Sequence, residues 1–140
     1  MASEVNLTWV QKKQFVGTDS SKHSVVISSQ DQENGTGMKP SDLLLLSLAA
    51  CSAYDVVNIL VKKKLNLTGL AVNVAGEQEP DPPWPFHRIT MEFVVRGTGL
   101  TDKAVANAIH LSESKYCSVA ATLRPAAEII TSYQIIEGTS

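Results

Sequence analysis

The sequence predicts an α+β fold, an antiparallel sheet with two main helices packed on it, in a single domain over residues 1–140. Three observations predict it. Apolar residues alternate with a period of two near both ends of the chain and in its middle, as half-buried strands require. One stretch, LLLLSLAACSAYDVVNILV at residues 43–61, is apolar and long enough for a core helix. A second, shorter helical pattern follows the middle strands, so the order is strands, helix, two strands, helices, strand. With 140 residues, 44% of them hydrophobic and 19% charged, the chain can bury a core without staples.

Residues 5–10 (VNLTWV) alternate, and residues 24–28 (SVVIS) do so loosely. Both read as short antiparallel strands, with FVGTDSSKH between them. QDQENGTGMKP, residues 30–40, is a loop by its Gly, Asn and Pro content. Pro40 then blocks backward extension of the first helix, Ser41 is a good N-cap, and Asp42 falls in the first turn. The helix runs to about Lys64, with Lys62, Lys63 and Lys64 at the carboxyl end where positive charge is favoured. Two longer strands follow. Residues 68–78 place Leu70, Val72 and Val74 on one face, and residues 86–97 place Ile89, Met91, Phe93 and Val95 on one face. EPDPPWPF joins them as a hairpin loop, because its prolines are excluded from a central strand. Thr101 caps the second helix, residues 101–114, whose apolar stripe is Val105, Ala106 and Ile109. CSVAATL starts a short third helix, Pro125 suits the turn beyond it, and EIITSYQIIEG at 128–138 is the last strand.

Several function classes lose support at once. A net charge of -2 gives no electrostatic reason for a nucleic-acid or anionic-membrane partner. Aromatic residues, at 6%, are too few for a base-stacking platform. The 43–61 stretch imitates a membrane span, but it carries Asp55 and Asn58. An aspartate near the bilayer centre costs roughly 2.5–3.5 kcal/mol, which favours a helix buried all round inside a protein. MASEVNLTWV lacks the basic start, apolar middle and cleavage site of a signal peptide, so a cytoplasmic location is expected. No C-x-x-C or H-x-x-x-H spacing marks a metal site, and no metal or other cofactor is expected. G-x-S-x-G, P-loop and dinucleotide fingerprints are absent from the sequence. His87 and His110 read as surface or internally satisfied residues of a strand and a helix.

The chemistry then rests on two cysteines, Cys51 and Cys117. Cys51 lies among Ala49, Ala50 and Ala53, small neighbours that leave room for another element or a substrate. Ser47 and Asp55, four residues away on either side, share its helix face. Asp55 can order the site, although a bare carboxylate beside a thiol raises the thiol pKa. Cys117 stands at the start of the short helix, whose N-terminal amides favour a thiolate. Lys115 adds positive charge nearby, and Tyr116 can donate a hydrogen bond. Two inert, buried thiols remain the competing reading, since free cysteine behaves as a small hydrophobe. The pair is 66 positions apart, so only the fold can bring the sulfurs together.

The segment KPSDLLLLSLAACSAYDVVNIL resembles the helix of the OsmC/Ohr family, in which the cysteine falls eleven positions after a helix-starting proline, as Cys51 does after Pro40. KYCSVAATL is similar to the family's second cysteine segment. RITMEFVVRGTGL followed by AIHLSESKYCSV resembles its strand–helix–cysteine order, and the likeness runs from about residue 5 to residue 138. The resemblance implies the OsmC-like fold, an intertwined homodimer, and the two cysteines meeting in a site at the dimer interface. It implies reduction of an organic hydroperoxide substrate by thiols alone. Cys51 would attack the peroxide and become a sulfenic acid, Cys117 would resolve it as a disulfide, and a dithiol reductant would reopen the bond. Peroxidases of the family carry an arginine in the early strands and a glutamate just after the proline. This chain has no arginine before Arg88 and holds Ser41 and Asp42 after Pro40, so Lys22 or His23 is the candidate for the missing charge. The alternative is a non-enzymatic OsmC-like protein, either a binder of a small hydrophobic ligand or a structural dimer.

Overall fold

A computed structural model describes residues 2–138. The chain folds as two compact units that divide between Leu44 and Leu45. The N-terminal unit carries β1 (Asn6–Gln11), β2 (Gln14–Thr18) and β3 (Ser24–Ser28), an antiparallel sheet in the order β1-β2-β3. The sequence reading of two strands there is corrected. FVGT is itself a strand, and it lies between the other two, with Trp9 opposite Phe15 and Val16 opposite Val26. Its apolar signal is only two residues long, Phe15 and Val16, before Gly17 interrupts it. The β1–β2 turn is Lys12-Lys13, with Lys12 at φ 47° and its carbonyl accepting from the Trp9 indole at 2.7 Å.

After β3 the chain loops around Asp31. Its carboxylate accepts from the Ser29 hydroxyl at 2.6 Å and from the Asn34 side chain at 2.8 Å. These bonds hold the carboxyl down at about 2, the Ser29 contact being the largest cause. Met38 then bridges back to Ile27. Gly37 is required there, because a Cβ would fall 2.6 Å from the Val26 backbone.

Helix α1 (Pro40–Lys62) begins at Pro40 itself. Lys39, and not Ser41, is the capping position, since its carbonyl accepts the first helical bond from Leu43 at 3.0 Å. Proline suits the first helical position because the N–H it lacks would be unpaired there. At the far end Leu65 N–H returns to the Leu60 carbonyl and Lys64 N–H to Val61, with Lys64 at φ 59°. This is a Schellman stop.

The C-terminal unit adds β4 (Asn66–Gln78), β5 (Phe86–Thr98), α2 (Asp102–Leu111), a π turn at Ser112–Tyr116, α3 (Ser118–Leu123) and β6 (Glu128–Glu137). Its sheet has the order β4-β5-β6. β4 and β5 form the expected hairpin, but β6 runs parallel to β5, so the sheet is mixed and not purely antiparallel. A parallel return needs a crossover of a dozen residues or more, and residues 99–127 supply it with helices.

Ile89, Met91, Phe93 and Val95 on β5 are all at 1% exposure or less. They form one apolar cluster with Leu48, Val56 and Leu60 of α1, Val105, Ala108 and Ile109 of α2, and Ala120 of α3. Thr101 caps α2 as expected, accepting from Ala104 N–H at 3.1 Å. Ala108 replaces Ala106 on the buried stripe, because α2 ends at Leu111 and faces the sheet through positions 105, 108, 109 and 112. Within one chain α1 is buried along one side only. Leu44, Leu46, Tyr54, Val57 and Val61 stay exposed, which corrects the reading of a helix covered all round. Among the described residues α1 is the one helix long and apolar enough to cross a membrane.

Candidate functional site

The C-terminal unit brings the two cysteines together. Cys51 is half-buried on α1, and Cys117 is buried at the N-cap of α3. Both thiols belong to one apolar cluster, and the Cys51 thiol is among the groups that raise the Cys117 thiol. The Cys117 sulfur also accepts from the Ala120 N–H at 3.3 Å and from the Ser52 hydroxyl at 3.6 Å. Local sequence explains each placement. Cysteine sulfur serves as the capping acceptor for α3, in the way a serine oxygen would. Ser52 lies on the buried stripe of α1 with Leu48, Val56 and Leu60, so its hydroxyl is carried inward where it meets the thiol.

The electrostatic outcome differs from the expectation for a helix start. Burial raises the Cys117 thiol above its ordinary value, and the neighbouring Cys51 thiol adds to that. The Ala120 amide and the Ser52 hydroxyl pull it the other way without prevailing. A six-residue helix offers a weak dipole, and desolvation of a thiolate outweighs it. Cys117 is therefore a protonated thiol at neutral pH. The Lys115 ammonium sits over the Tyr116 ring at 5.5 Å from the centroid. Tyr116 is largely exposed, and the donors to Cys117 are Ser52 and Ala120 in its place.

Asp55 is half-buried one turn after Cys51 and accepts from the Ser112 hydroxyl at 2.8 Å. With Asn58, Ile59, Lys62, Lys63, Leu111 and Tyr116 it lines a cleft of about 360 Å³. Two of the expected supporting residues, Asp55 and Tyr116, thus share one cleft, Asp55 four residues after Cys51 and Tyr116 directly before Cys117. Ser47 stands on the exposed part of α1. Asp42, Lys22 and His23 belong to the N-terminal unit. Asp42 is exposed in the first turn of α1. Lys22 and His23 lie in the β2–β3 turn, where Asp19 accepts from the His23 N–H at 2.8 Å and the His23 ring meets the Ser21 hydroxyl at 2.9 Å. Sequence reasoning missed Ser52 and Ser112. The available signal was the same for both, a serine on an otherwise apolar helical stripe. Among the described residues no group of three His, Cys, Asp or Glu side chains is placed to hold a metal ion.

A mixed sheet under three helices, with a thiol on the long helix clustered with a thiol that caps a short one, defines an α+β protein built around a cysteine pair. Known proteins give that class its family. The family model described as OsmC-like protein matches residues 32–132. Protein YhfA of Escherichia coli is 33% identical over 133 residues, covering 95% of this chain and 98% of that protein. The crystal structure of a hypothetical protein from Aquifex aeolicus has a TM-score of 0.88 at 26% identity, covering 99% of this chain and 98% of that one. An organic hydroperoxide resistance protein from Elizabethkingia anophelis shares the fold, with a TM-score of 0.71 at 10% identity over 97% of both chains. The chain belongs to the OsmC-like protein family.

Proposed function

We propose that this OsmC-like protein reduces organic hydroperoxides with Cys51 and Cys117. The observation that carries the reading is that the fold gathers two thiols 66 positions apart into one cluster, with the hydroxyl of Ser52, the residue after Cys51, 3.6 Å from the Cys117 sulfur. The roles follow from their environments. A thiolate is the attacking form, and Cys117 is buried and held protonated, so the more accessible Cys51 takes the peroxide. Its sulfur attacks the distal oxygen, the O–O bond breaks, and the alcohol leaves with a proton. Cys51 is left as a sulfenic acid. Cys117 then attacks that sulfur, the S–O bond breaks, and its thiol proton leaves in water as the disulfide forms. A dithiol reductant restores both thiols and leaves as its own disulfide. The protein's own part in the cycle is carried by these two sulfurs.

A pair that alternates between dithiol and disulfide suits a reducing compartment, which supports the cytoplasm as its location. The active form is an intertwined homodimer, for reasons of exposed apolar surface developed below. Cumene hydroperoxide with dithiothreitol tests the reading. The wild type turns over, and Cys51→Ser abolishes turnover. A wild type without turnover on any alkyl hydroperoxide sinks the peroxidase reading. The absence of any arginine before Arg88 favours the second reading, in which the protein holds a small hydrophobic ligand without reaction.

A further inference from the structure

We infer that the Asp55–Ser112 hydrogen bond is a latch that holds Cys117 in place for attack on Cys51. The inference rests on the thiol-pair reading. Ser112 is fully buried, at 0% exposure, and both of its polar ends are committed. Its hydroxyl donates to the Asp55 carboxylate at 2.8 Å. Its carbonyl accepts from the Cys117 N–H, also at 2.8 Å, across the five-residue spacing of the π turn. Ser112 N–H in turn closes α2 onto the Ala108 and Ile109 carbonyls. One residue therefore ties three things: the end of α2, the backbone of Cys117, and the α1 turn directly after Cys51.

The π turn makes the tie necessary. An i→i+5 turn is wider and less stable than the α-helix that would otherwise continue, and such turns occur mostly where a site needs one. Carried on as an α-helix, α2 would rotate Cys117 to a different bearing. The Asp55 carboxylate gives Ser112 a charge-assisted partner and fixes the wide turn against α1. Asp55 and Ser112 touch neither peroxide nor sulfur, so they are positioning residues. They act on the second step, in which the Cys117 thiol forms the S–S bond and hydroxide leaves Cys51 as water.

The test separates closure from attack. Reduced wild type, Asp55→Ala, Asp55→Asn and Ser112→Ala are mixed with a large excess of oxidised dithiothreitol and quenched with acid at intervals; the reagent oxidises the pair by thiol–disulfide exchange, leaves as the reduced dithiol, and needs no peroxidase activity. The Cys51–Cys117 disulfide is counted by mass spectrometry. In separate samples, fully reduced and freed of dithiothreitol, one equivalent of cumene hydroperoxide is added with dimedone, which traps the sulfenic acid. Both alanine variants should close the disulfide about tenfold more slowly, as loss of a hydrogen bond to a charged group implies. They should accumulate dimedone on Cys51 at the wild-type rate of thiol consumption. Asp55→Asn keeps an oxygen acceptor for Ser112 and should restore most of the closure rate. Asp55 is half-buried on a helix, where alanine is the best former, so its variant keeps the fold if Ser112→Ala does not. Closure at the wild-type rate in Asp55→Ala overturns the latch, as does equal slowing in Asp55→Ala and Asp55→Asn. A failed peroxide arm with a normal dithiothreitol arm instead removes the peroxidase reading and leaves the latch standing.

Discussion

At the scale of single residues, Cys117 shows how environment overrides position. It begins a helix and accepts an amide N–H, both of which favour a thiolate. Burial and the Cys51 thiol nevertheless leave it raised. Two outcomes follow. Iodoacetamide labelling of Cys117, read peptide by peptide against pH, should have its midpoint above the ordinary thiol value of ~8.5. Ser52→Ala should move that midpoint further up, because the hydroxyl is one of the groups lowering it. A midpoint at or below the ordinary value would refute this account. The sign for stability is fixed by linkage. A raised folded-state value means that the native state holds its proton longer than the unfolded chain. The contribution is fully present below the unfolded value and is lost as pH rises through the folded one. Urea midpoints should therefore fall through the alkaline range, and less so in a Cys117→Ala variant.

At the scale of elements, stability concentrates where backbone geometry leaves one solution. Gly97 sits in β5, and a Cβ there would run into the backbone oxygen of Asn66 on β4 and come within 3.0 Å of Leu100. Gly97→Ala should cost about 1–3 kcal/mol, the usual range for overpacking, without changing the fold. Thr101→Ala removes the side-chain cap of α2 and should cost about 1 kcal/mol. Urea unfolding followed by circular dichroism checks both. A Gly97→Ala protein as stable as wild type would mean that β4 can shift away from the strand.

At the scale of the whole molecule, the notable fact is apolar surface without cover. Tyr54 is 74% exposed on α1, with Leu46, Val57 and Val61 also in water on that helix. In the N-terminal unit, Leu7, Trp9, Val10 and Val26 are exposed as well, while the buried side chains among its described residues are the polar Ser28 and Asn34. Leaving such area wet costs on the order of 25 cal/mol per Å², and the proposed homodimer would cover it with a second copy of the chain. Sedimentation should give a dimer at micromolar concentration, and Val57→Glu should shift it toward monomer. A wild-type monomer at that concentration contradicts the dimer.

The sequence by itself determined the local elements with strong periodicity. β5, the start of α1 to within two residues, the Thr101 cap and the short helix after Cys117 were all legible, because period, proline and capping chemistry act within a few residues. It also singled out both cysteines, through their rarity and their segments. β2 was lost because its apolar run is two residues long. The parallel direction of β6 was lost because a strand's pattern is the same read in either direction; only the crossover through α2 and α3 sets it. Ser52 and Ser112 escaped for a related reason. A serine on an apolar stripe shows only that a partner must exist inside, and the partner lies 65 positions away in one case and 57 in the other. Tertiary structure alone decided that Cys117 meets Cys51, and that desolvation there exceeds the pull of a helix N-terminus. Both depend on what surrounds the sulfur in space, which no neighbour along the chain encodes.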